Sequence, residues 1–242
     1  MSDDGRKTVG VLGGMGPDAT VDFMAKVIAM TDSGTDQDHV HMLVDQNPTV
    51  PDRQAAIRDG LTDVSDALGE MARGLEDAGA DFLVLVCNTA HVFLDGLHAR
   101  TRIPFVSIIE ESVSAIDDLC PAATMVGVMA TTGCLETQVY QEAVAASGRE
   151  ALVPEGADMD ELMGLIRAIK AGDQGEGVQR GMQASANKLV QRGAEVIIAG
   201  CTEIPIVFSG QNCAAPIVSS TDVLARRTLE LARGLKPLPQ KS

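Results

Sequence analysis

Aromatic side chains are scarce in this chain of 242 residues, which contains no Trp and a single Tyr, Tyr140. Few rings are therefore available for stacking against nucleobases, and the composition argues against a protein that binds single-stranded nucleic acid in this way. The core must be built from Val, Ile, Leu, Ala and Met. Hydrophobic residues still make up 45% of the chain, which is typical of a folded globular protein.

Positive charge is also in short supply, because 19 Lys and Arg face 34 Asp and Glu, for a formal net charge of −15. This balance opposes binding to phosphate backbones and anionic membranes, and it indicates a well-hydrated surface. No apolar run approaches the length of a membrane span. The first seven residues are polar and acidic, unlike a signal peptide. We therefore expect a cytoplasmic protein with no nucleic-acid or membrane partner.

Paired cysteine motifs are absent, since the five cysteines are odd in number, widely spaced and without a C-x-x-C. This usage favours reduced thiols over a disulfide framework or a zinc site. His39 and His41 lie two apart on a predicted strand, with no nearby cluster of further ligands, and we interpret them as exposed strand residues rather than a metal site. We interpret Cys120, Cys134 and Cys213 as small buried hydrophobes.

Apolar strands alternate with helical periodicity along the whole chain. The pattern predicts strands over 8–12, 40–44, 81–86, 104–108, 124–129, 196–199 and 217–219. It predicts helices over 18–31, 61–77, 90–100, 135–147, 160–171, 178–191 and 222–235. The proline-containing stretch 47–53 is predicted to be a loop, and the tail 236–242 is predicted to fray. Such alternation is typical of an α/β protein with parallel sheets covered on both faces.

The chain also resembles itself. The segments 75–87 and 189–201 share Leu-x-x-x-Gly-Ala, an acidic residue, an apolar strand and a final Cys, at an offset of 114 (201 − 87). Two further matches in the same order join 10–12 to 127–129 and 104–107 to 216–219. Three matches in register indicate duplicated halves. We assign one lobe to 8–115 and the other to 124–230, with the last helix free to pack back on the first lobe.

The repeat predicts two pseudo-symmetric, doubly wound lobes that face each other across a cleft. Cys87 and Cys201 would each follow the carboxyl end of an equivalent strand, where ligands bind in such sheets. Each cysteine is followed by polar residues, Asn88-Thr89 and Thr202-Glu203, and this context favours function over core packing. The two thiols would then lie on opposite sides of one cleft.

Two thiols so placed suit the inversion of a stereocentre by proton transfer. That reaction needs a base on one face of the carbon and an acid on the other. The pKa of a thiol lies near enough to neutrality to be tuned for either role. Helices predicted to begin at Ala90 and Glu203 would offer free N–H groups that stabilise each thiolate.

Six segments together resemble the aspartate racemases of the Asp/Glu racemase superfamily. They are 10–17 (GVLGGMGP), 47–53 (NPTVPDR), 87–91 (CNTAH), 130–133 (ATTG), 170–172 (KAG) and 200–203 (GCTE). The resemblance implies a racemase that uses neither pyridoxal phosphate nor a metal, with two α/β lobes and commonly a homodimer. The Thr-Glu pair after the second cysteine resembles the aspartate branch, so aspartate is the first substrate expected and glutamate the second.

By the same likeness, Cys87 and Cys201 match the catalytic pair, and Arg53 and Lys170 match residues that bind substrate carboxylates. The other candidate substrate contacts are Asn88, Thr89, Thr132, Thr202, Met15, Asn47 and Glu203. From the residues alone, a solvated surface charge is the commoner fate of either residue type. The Pro-rich loop before Arg53 favours function, whereas Lys170 is better explained as a cation that complements a helix dipole. His91 lies one helical turn beyond Cys87 and either tunes that thiol or lies on a helix surface.

Other functions remain open at this stage. A broad-specificity amino-acid racemase shares these motifs, and maleate isomerases and arylmalonate decarboxylases share the superfamily. A non-enzymatic module that binds acidic amino acids would need Arg53 and Lys170 but not the thiols. The stretch 14–19 also fits G-x-G-x-x-A, with Asp45 at the end of the second strand, which is the fingerprint of an NAD-dependent dehydrogenase.

Overall fold

The computed structural model describes residues 5–240, so the ends of the predicted N-terminal stretch and of the predicted frayed tail, at 1–4 and 241–242, lie outside the described residues. The chain forms two compact units. Unit 1 runs to Ile108 and takes in the chain from Leu224 onward, and unit 2 runs from Ile109 to Val223. Each unit contains one four-stranded parallel sheet. The predicted α/β class with two parallel sheets is confirmed.

Unit 1 has the sheet order β2-β1-β3-β4. Its strands are β1 (Val9–Gly13), β2 (Met42–Gln46), β3 (Phe82–Leu85) and β4 (Phe105–Val106). Its helices are α1 (Pro17–Met30), α2 (Arg53–Asp59), α3 (Asp63–Asp77) and α4 (Leu94–His98), with 3-10 turns at Asp36–Asp38 and Thr89–Phe93. Buried side chains of β1, β3 and α3 form its main core cluster. Helix α5 (Ile108–Leu119) leads into unit 2.

Unit 2 has the equivalent order β6-β5-β7-β8. Its strands are β5 (Met125–Met129), β6 (Glu150–Leu152), β7 (Val196–Ala199) and β8 (Ile217–Ser219). Its further helices are α6 (Thr132–Glu136), α7 (Val139–Ala146), α8 (Gly156–Lys170), α9 (Glu176–Gln191) and α10 (Ile204–Val207), and α11 (Ser220–Ala232) returns toward unit 1. The repeat read from the sequence thus corresponds to a repeated strand order.

Close packing explains two residues of the repeat. A Cβ atom at Gly10 of β1 would lie 3.0 Å from the Cβ of Ala80, and one at Gly127 of β5 would lie 3.1 Å from the Cβ of Ala194. Contacts this short are tighter than ordinary van der Waals packing. In each half the glycine therefore allows the chain entering the neighbouring strand to approach the first strand closely.

The acidic residue of the repeat also has an equivalent task in each half. Asp81 accepts a hydrogen bond from the backbone N–H of Thr8 (2.7 Å), and Glu195 accepts one from that of Thr124 (2.6 Å). Both carboxylates thereby fix the start of the first strand of their sheet. The repeat therefore preserves residues that build the scaffold.

Several predicted elements were wrong in detail. The helix predicted over 135–147 is two helices, because Gln138 adopts a left-handed φ of 60° between α6 and α7. The segment 90–100 is a 3-10 turn followed by the short helix α4. Helix α2 begins at Arg53, directly after the proline loop, and α5 and β6 had not been predicted.

The prediction that His39 and His41 lie on a strand was also wrong. His39 follows the 3-10 turn and its Nε2 is 2.9 Å from the hydroxyl of Ser33, while His41 precedes β2 and its Nδ1 is 3.2 Å from the hydroxyl of Thr8. Within residues 5–240, no group of three His, Cys, Asp or Glu side chains is arranged to hold a metal ion. The same range contains no helix of the length and apolarity that crossing a membrane requires.

Candidate active site

The predicted site residues fall into two groups, one in each unit. The first half-site comprises Met15, Asn47, Arg53, Cys87, Asn88, Thr89 and His91, which follow β1, β2 and β3 in unit 1. The second half-site comprises Thr132, Lys170, Cys201, Thr202 and Glu203 in unit 2. Except for Lys170, at the end of α8, the residues of the second half-site follow β5 and β7. Ligands bind at such carboxyl ends of parallel strands.

The loop after β1 packs tightly against the loop after β2. Gly14 has a φ of 90°, and a Cβ atom there would lie 2.4 Å from the carbonyl carbon of Asn47. The N–H of Asn47 donates to the carbonyl of Gly13 (3.3 Å). The side chain of Met15 is 1% exposed and belongs to the core of unit 1. The two loops therefore form one fixed edge, with the Met15 side chain directed into the core.

Cys87 lies two residues beyond β3 and is buried together with Asn88 and Thr89. The ring of His91 holds this segment: its Nδ1 is 2.9 Å from the carbonyl oxygen of Cys87, and its Nε2 accepts a hydrogen bond from the N–H of Ile108 (3.1 Å). Burial lowers the pKa of His91 to about 4. The imidazole is therefore neutral near pH 7, and Nδ1–H donates to Cys87.

The alternative that His91 lies on a helix surface is thus wrong, because its side chain is buried. Its contact is with the backbone of Cys87 rather than with the thiol. Among the described residues, no carboxylate hydrogen-bonds the Cys87 thiol. A neutral imidazole between two backbone groups fixes the geometry of the segment without adding charge beside the sulfur.

Arg53 is the first residue of α2, whose N-terminus is capped by the side chain of Asp52 through the N–H of Ala55 (2.7 Å). The Nη1 group of Arg53 donates to the carbonyls of Val50 (3.1 Å) and Pro51 (2.9 Å). The half-buried guanidinium is therefore anchored to its own loop rather than free in solvent. Its Nε and Nη2 donors form an edge suited to a carboxylate.

Cys201 lies two residues beyond β7 and is also buried. Its Sγ donates a hydrogen bond to Oε2 of Glu203 (2.9 Å), and Oε1 of the same carboxylate forms an ion pair with Nζ of Lys170. The side chain of Glu203 is 4% exposed, against 37% for that of Lys170. Lys170 therefore does more than complement a helix dipole, because it neutralises a buried carboxylate beside the thiol.

Burial raises the pKa of the Cys201 thiol well above its usual value, and the charge of Glu203 raises it further, while Lys170 opposes the rise. The backbone N–H of Glu203 also favours the thiolate, in the direction expected of a helix start. Burial and the carboxylate outweigh it, and helix α10 has only four residues. The predicted stabilisation of the thiolate by a backbone N–H after Cys201 is therefore present, but it is the smaller effect.

A residue that the sequence did not single out packs behind Cys201. The ring of Tyr140 is fully buried, and a Cβ atom at Gly200 would lie 2.8 Å from its Cε2 atom. The Tyr140 hydroxyl is hydrogen-bonded to Ser112 and Ser220, and burial raises its pKa well above the usual value. The glycine before Cys201 thus leaves room for a polar-tipped ring in the core.

Thr132, the remaining predicted substrate contact of unit 2, lies after β5. Thr131 caps helix α6, with its hydroxyl accepting from the N–H of Cys134 (3.4 Å), and the N–H of the half-buried Thr132 points to Sδ of Met163 (3.4 Å). Cys134 is fully buried as predicted, whereas Cys120 and Cys213 are only partly buried.

Comparison with known proteins identifies the family. The family model described as Asp/Glu/Hydantoin racemase matches residues 12–228. The broad-specificity amino-acid racemase of Bacillus subtilis is 28% identical over 225 residues, covering 91% of this chain and 96% of that protein. The solved structure of Picrophilus torridus aspartate racemase is 27% identical, covers 96% of both chains and has a TM-score of 0.83. A glutamate racemase of Bacillus anthracis, 18% identical with a TM-score of 0.68 over 95% of this chain and 83% of that one, shares the fold. The chain therefore belongs to the Asp/Glu/hydantoin racemase family and is an amino-acid racemase, an isomerase.

Proposed function

We propose that this racemase acts on an acidic amino acid, aspartate first and glutamate second, by moving protons between Cys87 and Cys201 without pyridoxal phosphate or a metal. One observation carries the proposal. Two buried cysteines each follow, by two residues, the equivalent strand of two sheets with the same strand order. Family membership leaves the dehydrogenase interpretation of 14–19 without support.

The proposed reaction transfers protons between two thiols and the α-carbon of the substrate. One sulfur, as thiolate, takes the α-proton, while the other, as thiol, delivers its proton to the opposite face. The two cysteines exchange roles when the other enantiomer binds, so their protonation is coupled. Acid and base groups of this kind each contribute roughly 10²–10⁴-fold to a proton-transfer rate.

Binding of a dicarboxylate requires two sites for negative charge. The Nε and Nη2 edge of Arg53 provides a bidentate fork for one carboxylate, and Lys170 provides a point charge for the other. The polar groups proposed to hold the α-carboxylate and ammonium are Asn88, Thr89, Thr132 and Thr202, and Asn47 and Glu203 are further candidate contacts. Met15, whose side chain is buried in the core, would contribute through its backbone. By the same likeness we expect a cytoplasmic homodimer.

A broader substrate range is the second candidate. It is favoured by the extent of the match to the Bacillus subtilis relative, which covers 91% of this chain. The two candidates differ in what the site demands: a dedicated aspartate racemase needs both Arg53 and Lys170, whereas a broad one needs groups for the α-carboxylate and ammonium alone. A panel of apolar and acidic amino acids therefore separates them.

The deciding experiment uses the purified protein in deuterated buffer without added cofactor. L-aspartate, L-glutamate and then other amino acids are supplied, and α-proton loss is followed by NMR and the enantiomer ratio by chiral chromatography. Aspartate should exchange its α-proton and yield the D form. Cys87→Ala and Cys201→Ala should each lose racemisation by about 10²–10⁴-fold.

Cys120→Ala is the matched control, because it removes a thiol that belongs to neither half-site, and it should keep the parent rate. If neither acidic substrate exchanges but an apolar amino acid does, the broad-specificity candidate replaces the first. If no amino acid exchanges, the superfamily's isomerase and decarboxylase reactions and a binding module become the better explanations. Racemisation that survives either cysteine substitution would overturn the two-thiol mechanism.

A further inference from the structure

Three side chains of unit 2 form a continuous chain of contacts. Lys170 pairs with one oxygen of the Glu203 carboxylate, and the other oxygen accepts the Cys201 thiol at 2.9 Å. Glu203 and Cys201 are buried, while Lys170 reaches them from the last position of α8. A buried carboxylate stays ionised only when it is paired and hydrogen-bonded. Both conditions are met here.

The ion pair between Lys170 and Glu203 determines which partner of the sulfur–carboxylate contact carries the proton. An ionised carboxylate only accepts hydrogen bonds, so the short contact to Sγ requires the sulfur to carry its proton. Loss of that proton would leave two negative groups in contact inside the core. The surrounding elements add two further titratable groups, since Lys170 from α8 opposes protonation while the Tyr140 hydroxyl on α7 is itself held neutral by burial.

We propose that Glu203 is a positioning residue that keeps Cys201 protonated in the free enzyme, so that Cys201 enters a turnover as the acid and the role of base falls to Cys87. The proposal rests on the two-thiol reaction proposed above and deepens it by assigning the resting roles. Its basis is the contrast between the half-sites, because Glu203 contacts the thiol of Cys201 while His91 contacts only the backbone of Cys87.

The assignment fixes the proton balance of one turnover. The enantiomer whose α-hydrogen faces Cys87 gives that proton to the Cys87 thiolate, and Cys201 transfers its own proton to the opposite face. The enzyme is left with Cys87 as thiol and Cys201 as thiolate. Proton exchange with solvent, or turnover of the other enantiomer, restores the resting form, and the charge of Glu203 favours that return.

The test is a pH titration of the enzyme labelled with 13C at the cysteine Cβ, since this carbon shifts when its own thiol ionises. Single Cys→Ala variants assign the signals. Relative to the parent, Glu203→Gln should lower the half-point of Cys201 by about one pH unit or more, because it removes a like charge. The Cys87 signal, measured in the same sample, should move much less. The control Glu142→Gln, on an exposed position of α7, should leave Cys201 unchanged.

An unchanged Cys201 half-point in Glu203→Gln overturns the proposal, as does a shift of Cys87 as large as that of Cys201, which would mean general damage. Circular dichroism checks folding. Should the Gln variant not fold, Glu203→Asp replaces it: the shorter side chain lengthens the contact and should lower the half-point by a smaller amount, and no change would again be decisive. The titration needs no substrate, so it separates this inference from a failure of aspartate or glutamate to react.

Discussion

Cys87 and Cys201 follow equivalent strands, but different kinds of residue fix them in place. The segment around Cys87 is held by the neutral ring of His91, which hydrogen-bonds two backbone groups. At the equivalent position after Cys201 the chain has Pro205, and the neighbouring carboxylate of Glu203 contacts the thiol itself. One half-site is thus held by packing and backbone hydrogen bonds, and the other by charge.

The scaffold residues behave in the opposite way, because they match between the halves. Gly10 and Gly127 make the same close approach, and Asp81 and Glu195 fix the same strand start. The two halves therefore share the residues that the packing of each sheet requires, while the loops after the strands carry different functional side chains. The two-thiol reaction that we propose does not need symmetric surroundings.

The largest stability effect that we expect concerns His91, whose ring holds the backbone of Cys87. His91→Ala leaves a cavity and removes the buried acceptor to which the N–H of Ile108 donates, so the free energy of unfolding should fall by about 3 kcal/mol. Urea denaturation followed by circular dichroism measures this. The control is His41→Ala, at an exposed position, for which we expect a loss below about 0.5 kcal/mol. Equal losses in the two variants would contradict a special role for the buried ring.

The same ring should make the protein less stable in acid. Its folded pKa of about 4 lies below the ordinary value of 6.5, so the unfolded chain binds the proton more readily between these values. The stability that His91 contributes is fully present above pH 6.5 and is lost as the pH falls toward 4, by about 2 kcal/mol between pH 8 and pH 5. Denaturation at several pH values should show this fall in stability in the parent. In His91→Gln the part of the pH dependence that comes from His91 should be missing. Parallel profiles for the two proteins would refute the assignment.

A smaller and equal effect is expected from the glycines that match. Gly10→Ala and Gly127→Ala each press a methyl group into the close approach, and the cost should be about 1–2 kcal/mol in either unit. Thermal unfolding of the two variants measures whether the halves tolerate the change alike. The comparison fails if only one variant is destabilised, since the repeat predicts the same packing in both.

The smallest effect belongs to the carboxylates that fix the strand starts. Asp81→Asn and Glu195→Gln keep the shape of each side chain but weaken hydrogen bonds at or near the surface, so we expect each to cost less stability than either glycine variant. The hydrogen bonds from Thr124 and Met125 lower the pKa of Glu195, so its contribution is present at neutral pH and is lost as the pH falls through that lowered pKa. Urea denaturation at pH 7 measures both losses. A much larger loss in one variant would show that the two carboxylates are not equivalent.

Much of the scaffold was predictable because its signals are local. Apolar strands and helical spacing gave the alternation of elements, and the strands at 196–199 and 217–219 were predicted to the residue. The break at Gln138 was missed because a left-handed residue other than glycine or asparagine is rare. Strand β6 was missed because it has only three residues, and its outer position makes it weakly apolar.

In the candidate site, too, local features could be predicted and contacts between distant residues could not. The positions of the two cysteines after equivalent strands were predicted from the repeat, since strand ends and offsets are properties of the sequence. The pairing of Lys170 with Glu203, 33 residues apart, was not, because a charged residue at the end of a helix has the same local pattern whether it meets solvent or a carboxylate. The burial of Tyr140 behind Gly200 joins residues still further apart and left no local signal.

The sequence by itself determined that this protein is α/β, that its halves repeat and that Cys87 and Cys201 follow equivalent strands. It could do so because the periodicity of apolar residues and the order of elements along the chain can be read from the sequence. Only the tertiary structure decided which groups surround each sulfur. His91 becomes buried and neutral where its ring accepts the N–H of Ile108, and the Cys201 thiol meets a buried carboxylate of Glu203 that α8 pairs with Lys170. Protonation depends on burial and on charges brought together by folding, and both are absent from the extended chain.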